Sequence, residues 1–333
     1  ATQKYFCPKR KLSSLVSVRR WGNMLRASHR VPIQLCYCRR LLFSTTPTPT
    51  LPLDPILNVP QLQKDLTDLA PSMAKSLTTV GYWTNLPTHI NTPPLIPSTI
   101  VRTIREQCIA LRNEGRFEQS VSESIDDTGV VTTFEKEGVW ACEPDGADYD
   151  TAPDLLTYMS IVIGMLPPLL NNAVNLQNAV VANVDADGER RTLSLSNEAF
   201  NAKLAVTSPG STYPLHVDNT LGITGSTNDD TRKLTCILYL NPDYEPDHGG
   251  ELRLVLGDEH SHLDLTPEGG RMVLFWSDEI PHEVLPCAPH QSKDDITTRY
   301  DRYALTVWIP DTDPRNIQPK GSRFESLRLA AFK

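Results

Sequence analysis

From Lys203 onward the chain is a run of short apolar segments, each closed by a turn signal: KLAVTS, YPLHVDN, LTCILYLN, ELRLVL, RMVLFW, HEVLP and RYALTVWI. This constrains the fold more than any other feature. The links are too short to hold the helices that a parallel sheet needs, so the strands must pair mostly antiparallel. Seven or so strands at this spacing predict a sandwich or jelly roll, making the chain mainly β.

Upstream, the pattern is helical. Ser98 is a good N-cap, and Ile100, Ile104, Cys108 and Leu111 follow at helical spacing up to Gly115. A second helix is expected over 154–165, ending before Pro167 and Pro168. Between them, 116–140 is polar and holds Asp127-Thr128-Gly129, which predicts a strand–loop–strand excursion. Both helices are expected to support a sheet. No apolar run reaches transmembrane length by this reading, because 155–170 is short and is broken by the proline pair.

Charge is uneven. The net charge is −8, yet residues 1–53 carry ten Lys or Arg and no Asp or Glu. The remainder holds 22 basic and 40 acidic residues, and an acidic body argues against nucleic acid as a partner. The first 45 residues suit a mitochondrial or plastid transit peptide, or else a basic disordered tail that would leave the protein in cytoplasm or nucleus. Residues 46–60 are Pro-rich and lack helix or strand period, as a linker does. The expected division is therefore 1–45 transit or disordered segment, 46–60 linker, 61–197 helical support and substrate loop, 198–312 jelly roll and 313–333 tail. The seven cysteines are scattered without C-x-x-C spacing, which excludes a disulfide framework and predicts a reducing compartment.

The chemistry starts at YPLHVDN. On a strand His216 and Asp218 point to one face, with Val217 turned away. His282 follows the apolar strand 272–276, and Arg302 opens the last strand. Two histidines and one carboxylate leave three adjacent octahedral positions open, the ligand set of non-haem Fe(II) oxygenases; zinc could use the same ligands. A guanidinium such as Arg302 pairs with a carboxylate through two parallel hydrogen bonds. On its strand Arg302 shares a face with Ala304, Thr306 and Trp308. Arg299 is a rival for that role, but three residues away on a continuous strand it would face the other way. His248, His260, His262 and His290 read as solvated loop histidines.

HVDN (216–219), LTCILYLN (234–241), GGELRL (249–254), VLFWSDEIPHEV (273–284) and RYALTVW (302–308) together resemble the catalytic domain of the 2-oxoglutarate- and Fe(II)-dependent prolyl 4-hydroxylases. The likeness is greatest to the hypoxia-inducible-factor prolyl hydroxylases. ALRNEGRFEQS (110–120) and GVW (138–140) extend it, so that it covers 98–311.

The resemblance implies a double-stranded β-helix, or jelly-roll, core. It implies His216, Asp218 and His282 as catalytic iron ligands, and Arg302 and Tyr239 on the distal carboxylate of 2-oxoglutarate. Leu252 and Thr306 would line the co-substrate site, and Tyr213, Trp308 and Trp140 the substrate pocket. The implied reaction is peptidyl-proline 4-hydroxylation with release of succinate and CO2. It would use Fe(II), 2-oxoglutarate, O2 and ascorbate on a proline-containing protein or peptide. The rival readings are an oxygenase of a non-prolyl substrate, and a binding module without turnover. Two departures stand out: Ser208 replaces a tyrosine before the Pro-Gly turn, and 287–301 is longer than usual.

Overall fold

The structure, a computed structural model, describes residues 5–6, 54–85, 94–125, 131–174, 176, 192–219, 230–257, 261–288, 300–318 and 322–332. Most of the basic N-terminal segment, Arg299, His260, His290 and most of the 287–301 insertion lie outside the described residues.

Two antiparallel sheets form the body. The strands are β1 (Tyr5–Phe6), β2 (Tyr82–Thr84), β3 (Glu118–Ile125), β4 (Val131–Cys142), β5 (Asn201–Thr207), β6 (Tyr213–His216), β7 (Arg232–Tyr239), β8 (Leu252–Val255), β9 (His262–Leu265), β10 (Met272–Trp276), β11 (His282–Val284) and β12 (Arg302–Pro310). The larger sheet runs β1-β3-β4-β5-β12-β7-β10-β2 and the smaller β6-β11-β8-β9. The seven expected segments are all strands, and the excursion at 116–140 is the hairpin of β3 and β4. β9 was not expected. His262, read as a loop residue, opens it opposite Val255, and its four residues are too short for periodicity to stand out.

Helices α1 (Val59–Thr79), α2 (Ser98–Asn113) and α3 (Pro153–Asn171) pack beside the larger sheet, and α4 (Glu325–Ala331) lies near the C-terminus. In α1, Leu62, Leu66, Ala70, Met73 and Leu77 recur every three or four residues and are buried. Its N-cap is Asn58, whose side chain accepts from the Gln61 amide, so Val59 and Pro60 belong to the helix and not to a linker. Pro97, not Ser98, occupies the cap position of α2.

α3 does not stop before the proline pair. It runs through Pro167 and Pro168 to Asn171, since Leu166, Pro167 and Leu170 are buried in the core and their packing outweighs the lost backbone bonds. This helix is long and apolar enough to span a bilayer by length and composition, which corrects the reading from sequence. However, 72% of its apolar window is buried inside the protein. It is a core helix. At its start the buried Asp154 carboxylate accepts from the Leu57 amide at 2.7 Å and from Gln107 Nε2 at 2.8 Å, tying α2, α3 and the entry to α1 together.

Candidate metal centre

Strand pairing assembles the site. β6 ends at His216, which lies directly opposite His282, the first residue of β11. The chain bends after His216: Val217 turns into the core and Asp218 returns to the imidazoles. One ligand atom from each of His216, Asp218 and His282 lies within 4.8 Å of the others. Asp218 Oδ1 is 3.6 Å from His216 Nε2 and 3.8 Å from His282 Nε2. Neighbouring ligands about 2.1 Å from one metal ion stand roughly 3 Å apart, so the donor set has nearly the spacing of a bound ion.

The outer partners aim these atoms. His216 Nδ1 donates to the Pro214 carbonyl at 2.8 Å and His282 Nδ1 to the Ile280 carbonyl at 3.0 Å. A carbonyl only accepts, so each Nδ1 carries a hydrogen, and each ring turns its Nε2 toward the centre. The other oxygen of Asp218, Oδ2, accepts from the Thr235 hydroxyl at 2.7 Å, and Thr235 Oγ1 is itself 2.7 Å from Ser277 Oγ. Burial, together with the nearby His216, pushes His282 down to about 4, so its imidazole is neutral at pH 7 as a ligand must be. Burial alone would raise the Asp218 carboxyl; His282, His216 and Arg232 outweigh it and hold the carboxyl well below the usual range. A carboxylate and two imidazoles fit a divalent ion such as Fe(II).

Arg302 is buried and lies on β12, flanked by β5 and β7, so it is not an exposed edge residue. Its Nε donates to the Gly250 carbonyl at 2.8 Å and one Nη to Tyr239 Oη at 3.2 Å, with the guanidinium 4.9 Å from the Tyr239 ring centre. Across the β12–β7 ladder, Ala304 faces Tyr239, Thr306 faces Ile237 and Trp308 faces Thr235. Directly opposed residues share a face, so Thr306, Trp308, Tyr239 and Thr235 project together. The buried Trp308 Nε1–H has no hydrogen-bond partner among the described residues, leaving a donor on that face. Leu252 enters from β8, two residues from Leu254, which is opposite His282.

Tyr213 stacks on His216 with ring centres 4.5 Å apart. Trp140 stands apart from the triad: it is 37% exposed on β4, opposite Val206, so a pocket role for it would have to come from the rim. Ser208 contributes its amide to the Gly138 carbonyl at 2.8 Å.

Sequence reasoning passed over Lys136. A step of two residues along β3, from Gln119 to Val121, is matched by five along β4, from Trp140 to Glu135. Such a bulge re-aims a side chain. Gly138 turns the chain at φ +67°, where a Cβ would run into the Ser211 hydroxyl at 2.0 Å. The result is a buried Lys136 whose ammonium donates to Tyr213 Oη and sits 3.7 Å from that ring's centre. Thr235 and Ser277 were missed as well. His248 is not solvated but lies edge-on between Tyr244 and Tyr300.

Residues 202–310 match the family model of the 2OG-Fe(II) oxygenase superfamily. Egl nine homolog 1 of Rattus norvegicus is 38% identical over 108 residues, 32% of this chain and 27% of that protein. Prolyl hydroxylase EGLN3 of Homo sapiens is 37% identical over 108 residues, 32% of this chain and 38% of that protein. The matched region thus spans well under half the length of these relatives. A solved prolyl hydroxylase in complex with a hypoxia inducible factor oxygen degradation domain peptide fragment, from Trichoplax adhaerens, superposes with TM-score 0.54 at 22% identity, over 80% of this chain and 99% of that one. A prolyl 4-hydroxylase from Phytophthora capsici gives 0.53 at 20%, over 81% and 71%. At those identities the structural likeness is one of fold, the jelly-roll core. Residues 202–310 of the chain thus form a 2OG-Fe(II) oxygenase domain.

Proposed function

We propose that this chain is an Fe(II)- and 2-oxoglutarate-dependent dioxygenase that hydroxylates a prolyl residue of a protein or peptide at C4. The observation that carries the reading is the two-His, one-carboxylate set of His216, Asp218 and His282, together with the buried Arg302–Tyr239 pair on the two paired strands whose shared face also carries Thr235, the partner of Asp218. His216, Asp218 and His282 would hold the iron, and Arg302 with Tyr239 the distal carboxylate of 2-oxoglutarate. Iron and co-substrate together supply the oxidising chemistry when bound, with succinate and CO2 as co-products.

The protein's part is positioning. The two imidazoles and the carboxylate would hold the metal through three ligand atoms. The Arg302 guanidinium would orient the 2-oxoglutarate chain by its distal carboxylate. Leu254, opposite His282, and Phe275, whose ring centre is 4.6 Å from that of His282, are buried and shield this side of the ligand set from water. The prolyl substrate class is supported by the likeness to Prolyl hydroxylase EGLN3, 37% identical over 108 residues, and ascorbate is expected to keep the iron reduced.

Succinate release with Fe(II), 2-oxoglutarate, ascorbate and a pool of proline-containing peptides tests this. Turnover should rise with peptide, vanish in His216→Ala, and leave one peptide heavier by an oxygen atom on proline. Oxidation of another residue type would replace the prolyl reading, and 2-oxoglutarate binding without turnover on any peptide would favour a binding module.

A further inference from the structure

The chain after β12 turns back onto the metal centre. Gln318 is the one described non-glycine residue with positive φ, at +46°. A left-handed side-chain-bearing residue costs energy and persists where its surroundings hold it. At Gln318 what holds it is a set of contacts to both loops that carry the ligands. Its Nε2 donates to the carbonyl of Asn219, the residue after Asp218, at 2.9 Å. Its backbone amide donates to Asp278 Oδ2 at 2.7 Å, in the turn that leads to His282. Its other side-chain polar atom, Oε1, accepts from Arg328 of α4.

The surroundings reinforce the same grip. Lys233 Nζ reaches Asp278 Oδ2 and the Asn316 carbonyl, each at 2.8 Å, so the turn and the chain entering Gln318 share one ammonium. Arg328 Nε approaches Glu279 Oε2 at 3.5 Å. Phe324 packs over Gly81, where a Cβ would meet Ile280 at 2.6 Å and Phe324 at 3.1 Å. The two loops also bond directly, Asn219 amide to Ser277 carbonyl at 3.0 Å. Thr235, bonded to both Asp218 and Ser277, and the pairing of His216 with His282 tie the same loops from inside; Gln318 adds a tie from outside.

We propose that the C-terminal segment is a clamp on the metal centre, in which Gln318 is a positioning residue for Asp218 and His282 and Arg328 pins it. This rests on the reading of His216, Asp218 and His282 as metal ligands. The clamp acts through ligand spacing: with it closed, the carboxylate and the second imidazole are presented together before any ion arrives.

Gln318→Gly is the informative variant, because glycine relieves the left-handed backbone while deleting both side-chain contacts. Mn(II) titration of the apoprotein, followed by the electron paramagnetic resonance signal of free Mn(II), reads affinity without any turnover. Gln318→Gly and Arg328→Ala are each expected to weaken Mn(II) binding about tenfold, the lower end of the loss seen when a direct partner of a ligand is removed, since both act one residue further out. The apoprotein of Gln318→Gly should unfold at the wild-type denaturant midpoint, and Arg328→Lys should recover part of the loss. If Gln318→Gly binds Mn(II) within twofold of wild type, the clamp is wrong, whatever Arg328→Ala does to folding. His216→Ala run alongside separates the two ideas: unchanged Mn(II) affinity in that variant overturns the metal site itself.

Discussion

Thr235→Val removes one hydroxyl from the centre and almost nothing else. Thr235 is fully buried, and valine has nearly its shape, so no cavity opens and no water enters to replace the lost donor. The loss is a hydrogen bond of 2.7 Å to the Asp218 carboxylate, plus one of 2.7 Å to Ser277. A bond to a charged group is worth about 1.5–3 kcal/mol. Removing it frees the carboxylate to rotate, so that Oδ1 no longer stands ready between the two Nε2 atoms. At about 1.4 kcal/mol per tenfold, this corresponds to roughly 10–100-fold in metal affinity. The general cost of deleting a partner behind a metal ligand lies in the same range, about 10–100-fold. Mn(II) titration of wild type and Thr235→Val, with denaturant midpoints to establish that both are folded, measures it. A folded Thr235→Val that binds Mn(II) within threefold of wild type would refute the claim that Thr235 sets the carboxylate.

Lys233→Met should be among the most destabilising single changes, by about 3–5 kcal/mol, because it strands a buried Asp278 carboxylate; a free energy of urea unfolding within about 1 kcal/mol of wild type would contradict this. Gly250→Ala should raise the KM for 2-oxoglutarate and leave that for peptide unchanged, since at φ +76° its Cβ would press on Arg302 Cδ and Cys287 Sγ, each 2.9 Å away. Arg302→Lys should have the same signature, more strongly, because the ammonium cannot form the paired bonds of the guanidinium; equal KM values would remove Arg302 from the co-substrate.

The Glu279 carboxyl, faced by Asp278, Lys233, Arg328 and Ser322, is pushed up to about 7 from 4.5, by burial first and then by Asp278. A folded value above the unfolded one means the folded state binds more protons in that window. Stability should therefore fall as pH rises from 4.5 to 7. Glu279→Gln should flatten that slope and be the more stable protein at pH 8 by thermal midpoint; a slope of opposite sign would overturn the assignment.

The sequence alone determined what depends on periodicity and spacing. Alternation in RYALTVW put Arg302 with Thr306 and Trp308 on a single face, and the register of β12 on β7 agrees; Asp218 joins His216 through a bend beyond the end of β6, where alternation no longer applies. Short links compelled antiparallel pairing, and ordered motifs carried the family resemblance. Only the tertiary structure decided the rest, because it turns on partners distant in the chain. Thr235 reads as an ordinary strand residue until Asp218 is folded against it. Lys136 points at Tyr213 only because a bulge breaks the alternation that sequence reading assumes. Pro167 and Pro168 forbid a helix locally, yet burial carries α3 through them. Gln318 sits in a tail without a motif, and its strained backbone has meaning only where two loops 59 residues apart in sequence, at Asn219 and Asp278, come within its reach. Local pattern tells which face a side chain takes; register, bulges and long-range contacts decide what that face meets.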